Sequence, residues 1–156
     1  EIIGQQFFIE GSEIQCTRVL SKTTADIIGV FSFLPLSKLP AAKQKSTLHL
    51  LQNAPESKQG RVLSEIRQFA SAFPEVPKEG MYLSRIAVSE NYRAQSIGSK
   101  MLNEFSRLAR KEQKLCLHVN VARKSAVNFY YKNGFRVFGS NKKPYLTMIK
   151  DNFAHC

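Results

Sequence analysis

The sequence predicts one α/β domain built around a mixed β-sheet. Three observations carry this prediction: strand-like and helix-like patterns follow one another along the chain, 156 residues suit one domain, and 43% of the residues are apolar. That apolar share supplies a core and argues against disorder. The longest mostly apolar run, Ile27 to Leu36, is shorter than the roughly 20 residues of a membrane-spanning helix, so no membrane partner is expected.

The first strands are predicted near the start of the chain. Ile14 to Leu20 alternates roughly between apolar and polar residues, and Ile27 to Leu34 is apolar with β-branched and aromatic members. These patterns predict two antiparallel strands joined at Ser21 to Asp26. The preceding segment, Glu1 to Glu13, contains an apolar cluster that is typical of a short strand or a helix end.

Helices are predicted between Pro35 and Gly80, where prolines punctuate two helix-like stretches. The predicted helices are Ala41 to Gln52 and Ser57 to Phe73. The second helix places apolar residues on one face, which predicts an amphipathic helix that covers a sheet. These apolar residues are Val62, Leu63, Ile66, Phe69, Ala70 and Phe73.

The second half alternates strand and helix. Its predicted elements are a buried strand, Met81 to Val88; a polar loop, Ser89 to Ser96; a helix, Ile97 to Lys111; a strand, Leu115 to Val121; a helix, Lys124 to Asn133; and two strands, Arg136 to Ser140 and Tyr145 to Ile149. Gly134, directly after the last helix, predicts a left-handed cap. This order of elements predicts a mixed sheet in one domain.

Positive charge is concentrated in the second half of the chain. With 23 Lys and Arg against 12 Asp and Glu, the formal net charge is +11, and residues 1–80 hold only 9 of the basic but 8 of the acidic residues. A field of this sign favours an anionic ligand: a phosphorylated cofactor, an acidic substrate or a nucleic acid. Composition alone leaves these three open.

Cysteine and histidine placement argues against disulfides and metal sites. The three cysteines, Cys16, Cys116 and Cys156, form no CxxC pair and are odd in number, so a reducing, cytoplasmic setting is expected. No HExxH motif or Cys/His cluster occurs in the sequence, and no metal is expected. Cys116 and His118 lie two residues apart on one predicted strand face, which leaves a nucleophilic Cys–His pair as an alternative.

The loop before the predicted helix at Ile97 has the features of an anion site. The first N–H groups of a helix lack internal partners, and the helix dipole places about half a positive charge there. Gly98 lets a ligand approach the backbone, and Ser96 is expected to cap the helix or bind an oxygen. Arg93 and Lys100 are expected to add positive charge near such an anion.

Two motifs in this half resemble the Gcn5-related N-acetyltransferase (GNAT) family. Residues 93–99, RAQSIGS, are similar to the family's pyrophosphate loop, except that Ser96 replaces its first glycine. Residues 126–135, AVNFYYKNGF, resemble the family's late helix, in which a tyrosine stands four residues before a Gly-Phe pair. That register selects Tyr130. Ile86 to Val88 also resembles the strand end that pairs with the pantetheine arm of acetyl-coenzyme A.

The resemblance implies a fold and an activity. The implied fold is a mixed, mostly antiparallel sheet flanked by helices, and the implied reaction moves the acetyl group of acetyl-coenzyme A to a primary amine by direct attack in a ternary complex. Tyr130 is then the general acid that protonates the departing sulfur, and a backbone N–H near Val88 polarises the carbonyl. The implied cofactor-binding residues are Ile86, Ala87, Val88, Arg93, Ala94, Gln95, Ser96, Ile97, Gly98, Ser99, Asn120 and Tyr130.

The sequence defines the general base less closely. An unperturbed histidine titrates near neutrality, and His118 shares the polar face of its strand with Asn120, so it is a candidate base beside the more usual structural role of a strand histidine. Glu79, Ser84 and Glu90, each acting through water, are further candidates. The lysines expected to serve the 3′-phosphate or an acidic acceptor are Lys124, Lys132, Lys142 and Lys143.

Residues 1–156 are interpreted as one acetyltransferase domain with a helical insertion, residues 35–80, before the cofactor-binding strand. The strand and two helices with which family members usually begin are not recognised before Ile14, so we expect the chain to be a fragment that lacks them. Arg123 stands where the family often carries an asparagine.

Two other functions stay open from sequence alone: a basic nucleic-acid-binding module and a coenzyme A-binding protein without activity. Against the first, aromatic residues do not interleave with basic ones, and no RRM, KH or zinc-finger pattern occurs. The acceptor of the transferase is also open between a small polyamine, an aminoglycoside, a peptide N-terminus and a lysine side chain, although the basic rim argues against a polycationic amine. Because dimers are frequent in the family, a homodimer is a further expectation.

Overall fold

The fold is a six-stranded sheet with helices on both faces. The computed structural model describes residues 16–23, 26–109, 113–142 and 144–152, so the predictions for Glu1 to Glu13 lie outside the described residues. The strand order is β1-β2-β3-β4-β6-β5, and every neighbouring pair is antiparallel except β3 with β4. The strands are β1 (Cys16–Thr23), β2 (Asp26–Pro35), β3 (Met81–Val88), β4 (Lys114–Asn120), β5 (Arg136–Lys142) and β6 (Tyr145–Asp151). The predicted mixed, mostly antiparallel sheet is therefore confirmed.

Four helices connect these strands. They are α1 (Leu39–Asn53), α2 (Glu56–Ser71), α3 (Ile97–Leu108) and α4 (Lys124–Lys132). Each agrees with a predicted helix to within three residues at either end. Gly134 follows α4 with φ of +83°, which confirms the predicted left-handed cap. None of the helices in the described part of the chain has the length and apolar character that a membrane crossing requires.

The sheet buries a different core on each face. On one face, α3 and α4 pack over a large core that includes Phe33, Leu83 and Phe105. On the other face, a smaller core gathers Leu39 from the start of α1 and Cys116 from β4. The sheet is thus buried on both sides in the first half of β4, where Leu115, Cys116 and Leu117 are at most 1% exposed.

Helix α2 departs from the prediction. None of its residues is buried, and Phe69 on its apolar face is 53% exposed. The expectation that this helix covers a sheet along its apolar face is therefore wrong for most of its length. The reason is that α2 packs chiefly against α1, while Pro74 and Pro77 in the stretch after it are buried.

Strand β3 separates from β4 soon after the two strands meet. Only Met81 with Leu115 and Tyr82 with Cys116 are paired in parallel. The next residues of β3 carry a β-bulge, because Leu83 and Arg85 pair with consecutive residues of β2 and Ser84 is the extra residue between them. A bulge bends its strand and increases the local twist. The bend opens a gap in the middle of the sheet.

Candidate functional site

The gap between β3 and β4 is a cleft of about 860 Å³. This volume is of the size that holds a cofactor or a small ligand, about 300–1,000 Å³. Its walls come from the end of β3, the following loop, the first turn of α3, the end of β4 and one side of α4. The cleft therefore collects residues that are as far apart in sequence as Ile86 and Tyr145.

One wall of the cleft is the free edge of β3. The Ser89 N–H donates to the Ile28 carbonyl of β2, 2.8 Å between N and O. Because successive strand residues turn their N–H and C=O groups to opposite edges, those of Val88 and Ile86 face the gap. Beyond Tyr82 no residue of β4 pairs with this edge. The cleft thus offers backbone donors and acceptors to a ligand that lies along it.

The first turn of α3 forms the end of the cleft. Its N-cap residue, Ser96, has φ of +58°, and Ala94 has φ of +61°, so two non-glycine residues adopt left-handed backbone conformations in this loop. The Ser96 side chain makes no capping hydrogen bond, and the expectation that it caps the helix is wrong, because the left-handed backbone replaces the usual extended cap. The first helical hydrogen bond runs from Lys100 N to Ser96 O. The preceding N–H groups are therefore open to an anion.

Gly98 has a packing role that the sequence did not show. A Cβ built at this position would lie 3.0 Å from the Phe129 ring of α4, closer than ordinary contact. The glycine therefore lets α3 and α4 approach each other beside the cleft, in addition to lining it.

The loop between β3 and α3 is held by its own arginine. Arg93 Nε donates to the Val88 carbonyl at 3.3 Å, and the same guanidinium lies 3.4 Å from a Glu90 carboxylate oxygen. Arg93, one of the predicted cofactor-binding residues, lines the cleft. Gln95 does not line it, because its side-chain amide turns back and donates to the Asn91 carbonyl at 3.4 Å. Of the predicted cofactor residues, Gln95 alone lies outside the cleft lining.

Tyr130 lies in the cleft wall and Tyr131 does not. Tyr130 is 9% exposed and its ring packs against Phe129 and Phe135, with ring centroids 5.3 and 5.8 Å away. Its neighbour Tyr131 is 48% exposed. Burial raises the pKa of the Tyr130 phenol above its ordinary value, so the hydroxyl keeps its proton at neutral pH.

His118 lines the cleft with both ring nitrogens bonded to the protein. Nε2 lies 3.2 Å from the Pro74 carbonyl and Nδ1 lies 3.0 Å from the Tyr82 hydroxyl. Since a carbonyl only accepts, Nε2 carries the proton and Nδ1 accepts from the tyrosine. Burial lowers the pKa of His118 to about 4, and the nearby Lys43 adds to that shift. The ring is therefore neutral and held in place, with little basicity to offer an amine.

Tyr82 and Phe73 are the partners of His118 that the sequence did not single out. The Tyr82 hydroxyl is bonded to Nδ1, and burial raises the pKa of this tyrosine. Phe73, which follows α2, packs edge-on against the imidazole with ring centroids 4.8 Å apart and stacks on Tyr145 at 4.5 Å. No periodicity could have predicted these contacts, since they join β3, β4, β6 and the end of α2.

The alternative of a nucleophilic Cys–His pair is wrong. Cys116 does share a strand face with His118, but it is fully buried, with 0% exposure, and burial raises its pKa to about 12. The thiol is thus protonated and inaccessible, whereas a nucleophile requires an accessible thiolate. Among the described residues, no group of three or more His, Cys, Asp or Glu side chains could hold a metal ion.

A second, smaller cleft of about 400 Å³ adjoins the first. The two share Ile86, Ala87, His118, Arg123 and Tyr130, so they are neighbouring parts of one opening in the sheet. The smaller cleft is closed by side chains of β3 around the bulge, including Ser84, whose hydroxyl donates to the Ser32 carbonyl at 3.0 Å.

Two further residues at the end of β4 belong to this opening. The Asn120 side chain lines the larger cleft, and its Oδ1 accepts from the Ala122 N–H at 2.9 Å, so one of its polar atoms is used to fix the turn. Arg123, which stands where the resembled family often has asparagine, lines both clefts. Lys132 also lines the larger cleft, whereas Lys100 and Lys124 do not.

Comparison with known families and proteins agrees with this geometry. A family model described as an acetyltransferase (GNAT) domain matches residues 56–137, which run from the start of α2 into β5. N-alpha-acetyltransferase 50 of Danio rerio is 33% identical over 78 residues, which cover 48% of this chain and 46% of that protein. The chain therefore aligns with less than half the length of this relative.

Solved structures share the fold at low sequence identity. The chain superposes on a putative acyl-CoA N-acyltransferase from Klebsiella pneumoniae with a TM-score of 0.53 and 12% identity, covering 92% of this chain and 76% of that one. An N-acetyltransferase from Staphylococcus aureus gives a TM-score of 0.55 at 22% identity, covering 85% and 68%. These similarities support the architecture of the sheet and its flanking helices.

Proposed function

This chain belongs to the acetyltransferase (GNAT) family, and from that premise we propose that it transfers the acetyl group of acetyl-coenzyme A to a primary amine. One observation carries the proposal. The gap between β3 and β4 has a free strand edge along one side, the open N–H groups of α3 at one end and the Tyr130 hydroxyl on its wall.

The cleft fits acetyl-coenzyme A through backbone groups more than through side chains. The N–H groups that begin α3 donate hydrogen bonds to the pyrophosphate oxygens, and Arg93 and Lys132 add positive charge around them. The free edge of β3 at Ile86 and Val88 pairs with the amide groups of the pantetheine arm, in the way that an added strand pairs with a sheet edge. The cosubstrate thereby supplies the thioester beside Tyr130.

In the reaction, the residues of the gap polarise the carbonyl and protonate the sulfur. The Val88 N–H donates to the carbonyl oxygen, where negative charge develops. The amine nitrogen forms the new C–N bond, the C–S bond breaks, and Tyr130 gives its proton to the departing sulfur. The amine loses one proton to solvent, and solvent restores the proton of Tyr130. Holding both reactants in one opening contributes through orientation.

His118 is a positioning residue in this proposal and only a secondary candidate for the base. Its two hydrogen bonds and its lowered pKa, about 4, favour a neutral ring that holds Tyr82 and the Pro74 segment against the cleft. A base of such low pKa is a poor match for an amine at neutral pH. Water that reaches the opening removes the amine proton instead.

The binding step is tested by a pair of charge variants on one helix. Ser99 lines the cleft in the first turn of α3, and Asn103 is an exposed residue one turn further on that does not line it. Calorimetric titration with acetyl-coenzyme A is expected to show binding that Ser99→Glu weakens by about tenfold or more, because a carboxylate then faces the pyrophosphate. Asn103→Glu adds the same charge and should leave the affinity within about twofold.

This titration, a thiol-release assay and an oligonucleotide titration together distinguish the proposed function from its alternatives. Equal weakening by both variants, or no binding by the parent chain, would contradict the cleft as the cosubstrate site. Binding without thiol release across a panel of amines would indicate a coenzyme A-binding protein without activity. A nucleic-acid-binding module would instead bind an oligonucleotide with an affinity that falls steeply as salt is raised.

A further inference from the structure

The smaller cleft is walled by positive charge. Arg85 from β3 and Arg123 from the end of β4 both line it, together with Tyr130. No acidic side chain lines either cleft within the described part of the chain, and the other charged residues of the larger cleft, Arg93 and Lys132, are also basic. Among the described residues that line the two clefts, the charged side chains are therefore all basic.

The position of Arg85 follows from the β-bulge. Ser84 is the extra residue of the bulge, and the Ser84 hydroxyl anchors it to the Ser32 carbonyl of β2. Arg85, the next residue, pairs with Ser32 and lines the smaller cleft but not the larger one. Bulges commonly re-aim a side chain beside an active site. The feature that opens the gap thus also places Arg85 in the wall of the smaller cleft.

Resting on the proposed acetyl transfer, we propose that the acceptor is an amine that carries an anionic group, a carboxylate or a phosphate, and that Arg85 and Arg123 bind this group. A guanidinium matches both anions with two parallel hydrogen bonds. A polycationic acceptor such as a polyamine would be repelled by the same two side chains. The inference therefore selects among the acceptor classes that the sequence leaves open.

The two arginines also act on the amine itself. A nearby positive charge disfavours the ammonium form and lowers the pKa of the amine. This effect replaces part of the work of a general base, which suits a site whose histidine has both ring nitrogens hydrogen-bonded to the protein.

The test measures acceptor binding without requiring turnover. The chain is saturated with coenzyme A and titrated with matched amines: β-alanine against β-alaninamide, phosphoethanolamine against ethanolamine, and Ser-Asp-Ala amide against Ser-Asn-Ala amide. At least one anionic member is expected to bind about tenfold more tightly than its neutral partner, which corresponds to about 1.4 kcal/mol. The pair that shows the preference identifies whether the anion is a free carboxylate, a phosphate or a peptide side chain.

Variants assign the preference to the cleft. Arg85→Gln should reduce it to less than about twofold, whereas Arg107→Gln, which removes an exposed charge from α3 outside both clefts, should leave it unchanged. Equal binding of both members in all three pairs overturns the inference, and so does a preference that survives in Arg85→Gln. Failure of coenzyme A itself to bind would contradict the proposed function instead, so the two failures are distinguishable.

Discussion

The two helical layers of this protein contact the sheet in different ways. Helix α3 buries Met101, Leu102 and Phe105 against the large core, and Phe105 is 0% exposed. Helix α2 is longer, yet it buries no residue. The sequences of both helices predict an amphipathic helix over a sheet. An apolar stripe therefore predicts that a helix forms, but it does not determine which element the helix packs against.

The difference corresponds to the two sides of the candidate site. The wall that is proposed to hold the cosubstrate is built from α3 and α4, which are fixed by the core. The wall beside His118 is formed by Phe69 near the end of α2 and by Phe73 just after it. Both rings contact Tyr145, and Phe73 also contacts His118. The comparison teaches that the wall made by α3 and α4 is part of the large core, while the opposite wall is attached to the sheet through a few aromatic contacts.

Truncating one aromatic side chain in each layer gives the largest expected contrast. Phe105→Ala should lower the free energy of unfolding by about 3–5 kcal/mol, because it leaves a cavity in the large core. Phe69→Ala should cost about 1 kcal/mol or less, since this ring is half exposed. Urea unfolding of both variants measures the two values. Equal losses would mean that α2 is part of the cooperative core.

A tyrosine pair on α4 sharpens the contrast at the site. Tyr130→Phe should lower turnover by about a hundredfold or more and leave acetyl-coenzyme A affinity nearly unchanged, because only the proton donor is removed. Tyr131→Phe alters the exposed neighbour and should leave both quantities unchanged. Thiol release and calorimetry give the two readouts. A parallel loss of affinity in Tyr130→Phe would point to a packing role instead.

Acid should weaken the contact between the two layers at His118. The pKa of this residue is about 4 in the folded chain and near 6.5 when unfolded, so the unfolded state binds its proton first as pH falls. The free energy of unfolding should therefore fall between pH 6.5 and 4, by an amount on the order of 2 kcal/mol after allowing for partial exposure. His118→Gln carries no titrating ring, and the difference between the two pH curves isolates the effect. Parallel curves would exclude it.

The smallest effects come from one backbone change in each region. Ser96→Gly relieves a left-handed backbone at the start of α3 and should stabilise the fold by about 0.5–1 kcal/mol. Gly60→Ala lies in the middle of α2, where an added Cβ meets nothing within 4 Å, and should give a similar gain of about 0.5–1 kcal/mol. Thermal unfolding tests both. A gain in the first variant only would show that α2 melts separately from the sheet.

Sequence alone predicts the helices of the α3–α4 wall well because their signals are local. Helix α3 follows from its apolar spacing, and the resemblance of residues 126–135 to the family's late helix selects Tyr130 over Tyr131. Every predicted cofactor residue except Gln95 lines the cleft. A hydrogen bond to Asn91 turns Gln95 away, and a loop conformation of that kind has no periodic signature.

The remaining features depend on contacts between distant segments. Tyr82 reaches His118 only because β3 and β4 are parallel neighbours, and the Pro74 carbonyl reaches it only after two helices have been placed. The left-handed conformation of Ser96 was equally hidden, since serine usually caps a helix with extended backbone. The bulge at Ser84 is a property of pairing and not of composition.

The brief contact between β3 and β4 has a consequence for how the sheet holds together. Apart from two residue pairs between β3 and β4, β1-β2-β3 and β4-β6-β5 are separate half-sheets that join at one end only. A ligand that lies in the gap and hydrogen-bonds along the free edge of β3 would hold the two half-sheets together. The amide protons of Ile86 and Val88 would then exchange with deuterium quickly in the empty chain and slowly in the loaded one, and so report occupancy residue by residue.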